Sequence, residues 1–87
     1  MEGIFQPLTE PGIAVEQVWF KDEYIFVKLT DQRILGHPLS WYPHLAKGTE
    51  IQRQNVKLWN NGAWLHWEEL NEDLSAQGFL HFRIPGK

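Results

Sequence analysis

The sequence predicts an α+β domain: an antiparallel sheet of about five strands, a meander plus a C-terminal hairpin, with one or two short helices on one face. Three observations predict it. Apolar residues alternate across residues 13–39, with two short polar breaks. Asn61-Gly62, the strongest short hairpin signal, lies between two aromatic-rich segments. The stretch between these regions carries helix punctuation instead of alternation, in Ser40, Pro43, Gly48 and Thr49. The 87 residues are the length of one domain, assigned to 13–87 behind an extended lead-in at 1–12. A domain this small buries only about 60–65% of its unfolded surface. Its core must come from large rings, and the chain has five Trp, five Phe and two Tyr.

The elements follow in chain order. Pro7, Pro11, Gly3 and Gly12 keep the lead-in extended, with Ile4, Phe5 and Leu8 available to pin it down. Residues 13–20 read as a strand, with Val18 and Phe20 on one face and Val15 and Trp19 on the other. After Lys21-Asp22-Glu23, residues 24–29 give the clearest strand, Ile25, Val27 and Leu29 facing one way and Tyr24, Phe26 and Lys28 the other. Asp31 and Gln32 turn the chain into a third strand over 33–39, weakened at its far end by Gly36 and Pro38. Ser40, Pro43 and Gly48 frame one or two helical turns, and Thr49 caps another over 50–53. Residues 56–59 and 63–67 form the hairpin around Asn60-Asn61-Gly62. From Leu70 the chain is expected to leave the sheet, with Ser75 capping a final turn that ends near Phe79.

Composition excludes several classes. The chain has no Cys, which rules out disulfides and Cys-based zinc sites and fits a reducing, cytoplasmic setting. No apolar run approaches the roughly 20 residues needed to span a bilayer, and the N-terminus lacks the basic and apolar regions of a signal peptide. The net charge is −3, but residues 62–80 alone carry −4 and the remainder +1. A surface of that sign disfavours direct nucleic-acid binding and favours a basic protein partner.

The acidic block Glu68, Glu69, Glu72 and Asp73 sits beside Trp64 and Trp67. It reads as partner surface, as internal capping, or as ion pairing with Arg33 or Arg53. Trp67 and Trp41 are expected in the core. Trp59 and Trp64 flank the hairpin, either as a cross-strand pair or as the centre of an interface. His37, His44, His66 and His81 show no i, i+4 spacing, and no cofactor or metal site is expected. His66 with Glu68 could supply two ligands, or an acid/base pair, which leaves a small metal-binding or acid/base enzyme as an alternative. Ser40, Thr49 and Ser75 lack a nucleophile-elbow context, so no catalytic residue is assigned. A further alternative is a nucleic-acid-associated regulatory domain, in which Lys21, Lys28, Arg33, Lys47, Arg53, Lys57 and Arg83 gather near Tyr24 and Phe26.

Three stretches together resemble the bacterial domain-of-unknown-function 2442 family. They are Asp31-Gln32-Arg33, then Pro38-Leu39 with Trp41-Tyr42-Pro43-His44-Leu45, and finally residues 62–80 with Leu65-His66-Trp67, Glu72-Asp73-Leu74-Ser75 and Phe79-Leu80. Gln32 stands where the family usually has Gly, which brings a positive-φ turn there into question, while Glu68 replaces a Pro and Asn71 an Asp. The resemblance implies a small α+β domain with no assigned catalytic group. It also implies a gene beside that of another small protein, often of the unknown-function 4160 family, in the manner of toxin–antitoxin pairs. Some longer relatives append a helix-turn-helix, for which this sequence has no room. The expectation is therefore a non-enzymatic protein-interaction module, antitoxin-like, meeting a small basic partner through Trp64, Glu68, Glu69, Glu72 and Asp73. Homodimerisation stays open.

Overall fold

The structure, a computed structural model, describes residues 12–82. The lead-in (save Gly12), Arg83 and the rest of the C-terminal tail lie outside the described residues. Strands β1 (Val15–Lys21), β2 (Tyr24–Leu29) and β3 (Ile34–Pro38) form the expected antiparallel meander in the order β1-β2-β3. A 3-10 turn at Leu39–Trp41 leads into helices α1 (Pro43–Ala46) and α2 (Glu50–Gln54). Strands β4 (Lys57–Trp59), β5 (Trp64–Trp67) and β6 (Glu72–Ser75) then form a second antiparallel sheet in the order β4-β5-β6, followed by helix α3 (Ala76–Leu80).

The α+β class and both β segments are as expected. The strands are nevertheless divided into two three-stranded sheets, and β6 is additional. Expectation had the chain leave the sheet at Leu70. Instead residues 68–71 turn it back, with Asn71 at φ 52° and its N–H donating to the Glu68 carbonyl at 3.3 Å. Glu72 and Asp73 begin a true strand that continues through Leu74 and Ser75. Leu74 lies opposite Leu65, and Glu72 opposite Trp67.

One strand face also differs from simple alternation. Val15 lies opposite Leu29, whereas Val18 and Phe20 lie opposite Val27 and Ile25, with a register shift between Val15 and Gln17. This bulge inserts one residue, so Val15 shares the core face with Val18 and Phe20, not with Trp19.

The core is one cluster drawn from both sheets and from the segments between them. Ile25, Val27 and Leu29 meet Leu65, Trp67, Leu45, Tyr42, Ala76 and Phe79, all buried. Each fully buried aliphatic side chain contributes about 1.5–3 kcal/mol. The β4–β5 turn ties the sheets together. Asn60, Asn61 and Gly62 all adopt positive φ, and Gly62 packs so closely on β1 that a Cβ there would lie 2.2 Å from the Val15 carbonyl oxygen.

Local chemistry explains the short helices. Pro43 opens α1, where its missing N–H costs nothing, and Ser40 is not its cap. Thr49 caps α2 and forms a full capping box with Gln52. Ser75 Oγ accepts from the Gly78 N–H at the start of α3. Arg53 donates to the carbonyls of Leu45 and Gly48 at 3.1 and 2.7 Å, while its own carbonyl accepts from the Trp67 indole at 2.8 Å. Arg53 therefore joins α1, α2 and β5 and does not pair with the acidic block.

Candidate functional site

The acidic block lies on the second sheet, and strand pairing decides which way each side chain points. Paired residues share a face. Leu65, Trp67, Leu74 and Glu72 therefore face the core side, and Lys57, Trp59, Trp64, His66, Asp73 and Ser75 face outward. The outer face carries two rows across the strands, Trp59–Trp64–Ser75 and Lys57–His66–Asp73.

Both tryptophans in the first row are open to solvent, Trp59 at 48% and Trp64 at 43%. The Trp59 indole stacks on the His66 imidazole with centroids 4.2 Å apart. His66 Nδ1–H donates to Asp73 Oδ1, while the Asp73 side chain stays 57% exposed. His66 is thus held between a ring and a carboxylate. Glu68 and Glu69 occupy the exposed turn beyond β5. At about 3.3 Å per residue, that turn lies on the order of 13 Å from Trp64 along the strand.

Glu72 faces the other way. Its Oε1 lies 2.9 Å from His44 Nδ1 of α1, and its side chain is 19% exposed. Of the five expected contact residues, Trp64 and Asp73 share the outer face, Glu68 and Glu69 border it, and Glu72 belongs to an internal contact. Glu72 and Asp73 pair with histidines, not with Arg33 or Arg53. Arg33 is held by Asp31, its Nε 2.7 Å from Oδ2. Hydrogen bonds from Arg33, the backbone one foremost, keep the Asp31 carboxyl below its ordinary range.

Among the described residues, the basic side chains do not gather on one face. Lys21 and Lys28 share the outer face of the first sheet with a stack of Trp19, Phe26 and Tyr24. Arg33 and Arg53 are engaged in turns and helix ends, and Lys57 lies on the second sheet. Among the described residues, no three His, Asp or Glu side chains converge as metal ligands. His66 meets Asp73, not Glu68.

A second cluster escaped sequence reasoning. His37 stacks face to face on Phe79 at 3.9 Å, and its Nδ1 shares a 2.7 Å hydrogen bond with the Tyr42 hydroxyl. Trp41 and Phe82, themselves stacked at 5.0 Å, tilt against it. Burial holds the His37 imidazole below its ordinary range. Burial, and secondarily the Glu72 charge, push the Tyr42 phenol well above its own. The available signal was inner-face spacing: in β3, Leu35 and His37 alternate inward opposite Val27 and Ile25. Phe79 and Phe82 are too distant in sequence for local pattern to connect them.

Comparison with known proteins supports the architecture. The model of a family described as protein of unknown function (DUF2442) matches residues 15–85. A crystal structure of a protein of unknown function from Rhodospirillum rubrum is similar at TM-score 0.70 and 22% identity, covering 86% of this chain and 93% of its own. A solution NMR structure of an uncharacterized protein from Chromobacterium violaceum is similar at TM-score 0.70 and 22% identity, covering 88% of this chain and 72% of its own. At that identity the likeness is one of fold. No curated protein matches.

Proposed function

The chain belongs to the DUF2442 family of proteins of unknown function, and from that membership we propose that it is a small protein-interaction module, antitoxin-like, whose partner is a small basic protein encoded beside it. The observation that carries this reading is the pair of solvent-exposed tryptophans, Trp59 and Trp64, on a sheet face shared with Asp73 and bordered by Glu68 and Glu69. Exposed indoles are the side chains that most often anchor interfaces. The surrounding carboxylates steer a basic partner toward them.

The module performs no reaction of its own. The His66–Asp73 pair could orient a general base, but the outward hydroxyl nearest it in sequence, Ser75, is occupied capping α3. The lack of Cys suits a reducing cytoplasm. No described helix is long and apolar enough to cross a membrane.

Co-expression with the adjacent reading frame tests the proposal. The neighbouring product should be retained on the tagged chain. Trp64→Ala combined with Asp73→Asn should weaken binding at least about tenfold, the usual cost of losing an interface anchor. Glu68→Gln with Glu69→Gln should slow association and flatten its salt dependence. Absence of the neighbour from the eluate, or unchanged binding by a folded Trp64 variant, would remove the reading.

A further inference from the structure

We propose that the hollow between β6 and α3 receives an arginine side chain of the basic partner. The inference rests on the interaction reading and adds a location and a chemistry to it. The hollow has a volume of about 260 Å³, and its walls include Tyr42, Trp64, Asp73, Leu74, Phe79 and Phe82. Three features select its occupant.

The first is the lining. Trp64, 43% exposed, offers an open ring face beside the half-exposed Asp73 carboxylate, while Tyr42 and Phe79 line the hollow as buried rings. A cation over an aromatic face is attracted by the ring's negative quadrupole, and the carboxylate supplies the counter-charge. The planar guanidinium fits this combination better than an ammonium, because it stacks on a ring while its edge N–H groups reach an acid.

The second is the absence of a Lys or Arg competitor: His66 takes Asp73 Oδ1, and the guanidinium meets the carboxylate through its second oxygen. Neither β6 nor α3 contains a Lys or Arg. Other depressions on the surface differ. Arg53 lines two of them, alongside Glu23 and Leu39. A third, at Val18, Trp19, Phe20, Gln54 and Val56, has no acid. The hollow at β6 combines rings and a carboxylate with no basic residue in its lining.

The third is access. β6 ends the order β4-β5-β6, so its outer side has no neighbouring strand among the described residues. An extended partner segment can lie along that edge and project alternate side chains toward the hollow.

An NMR titration with an acetylated tetra-arginine peptide, at physiological salt, tests the site. Tetra-lysine and tetra-citrulline peptides serve as comparisons. The arginine peptide should shift the Trp64 indole N–H and the Gly78 amide. Lysine should bind several-fold more weakly, and the neutral citrulline peptide should leave both signals in place. Trp64→Ala should weaken arginine binding at least tenfold, and the near-isosteric Asp73→Asn about fivefold. Ile51→Ala removes a 73% exposed apolar side chain on α2, outside the hollow, and should change affinity less than twofold. Equal binding of citrulline, an unaffected folded Trp64→Ala variant, or no shift with any peptide would overturn the proposal. Shifts confined to the turn at residues 68–71 would also overturn it, while leaving an acidic interaction surface standing. Failure of the neighbour to co-purify would instead remove the broader reading.

Discussion

Single residues set the turns, and two substitutions measure what they contribute. Gly62 sits at φ +91° against the Val15 backbone. A side chain there meets main chain, which cannot swing aside, and the dihedral is strained as well. Gly62→Ala should destabilise the fold by about 2–4 kcal/mol, seen as a lower urea midpoint. Gln32 presents the opposite case. It adopts φ +81° at an exposed turn, the conformation that its family-typical Gly would take without strain. The positive-φ turn questioned from sequence therefore persists, held by the Asp31–Arg33 contacts and by the Gln32 N–H on the Leu29 carbonyl. Gln32→Gly should raise stability by about 0.5–1 kcal/mol, because relief of left-handed strain outweighs the added chain entropy. Sequence revealed both sites because turn chemistry is local. The role of Arg53 was hidden, since its carbonyl partners carry no residue-type signature.

At the scale of elements, the caps of α2 and α3 were legible, whereas Ser40 does not cap α1 and the registers were not legible. Thr49 and Ser75 were recognised because a cap acts within three residues of itself. In α3, only five residues long, the cap holds the helix that delivers Phe79 to the core. Ser75→Ala should cost about 1 kcal/mol, measured by thermal or urea unfolding. The bulge in β1 could not be read, because alternation alone predicts Val15 beside Trp19. Only pairing with Leu29 shows the slipped register. β6 was missed because its first two residues, Glu72 and Asp73, and Asn71 just before them are poor strand formers. Its stability comes from neighbours: Leu65 and Trp67 opposite it, and the acceptance of the Ala76 N–H by the Ala63 carbonyl at 2.8 Å.

For the whole molecule, the His37 cluster links the first sheet to α3 and makes stability depend on pH. The folded chain holds His37 below its ordinary range, while the unfolded chain returns it to about 6.5. As pH falls through 6.5 the unfolded state takes up a proton that the folded state resists. The stabilisation is complete above that value and lost below it, down to the folded-state titration point. His37→Phe keeps a ring against Phe79 but cannot titrate. The drop in urea midpoint between pH 7.5 and pH 5 should therefore be smaller in the variant than in the parent chain. An equal drop would show that His37 does not carry this sensitivity. The candidate surface is also a whole-molecule property. The acidic block and its tryptophans were visible in the sequence, but the division that turns Glu72 inward to His44 and leaves Asp73 outward arises from the β5–β6 register. The sequence by itself determined the α+β class, the meander, the Asn-Gly turn, the Thr49 and Ser75 caps and the gathered negative charge, because each depends on residues within a few positions of one another. Only the tertiary structure decided the split into two sheets, the sixth strand, the His37 ring cluster and the hollow beside Asp73. Those depend on contacts between residues such as His37 and Phe79 or Val15 and Gly62, which meet only when the core closes.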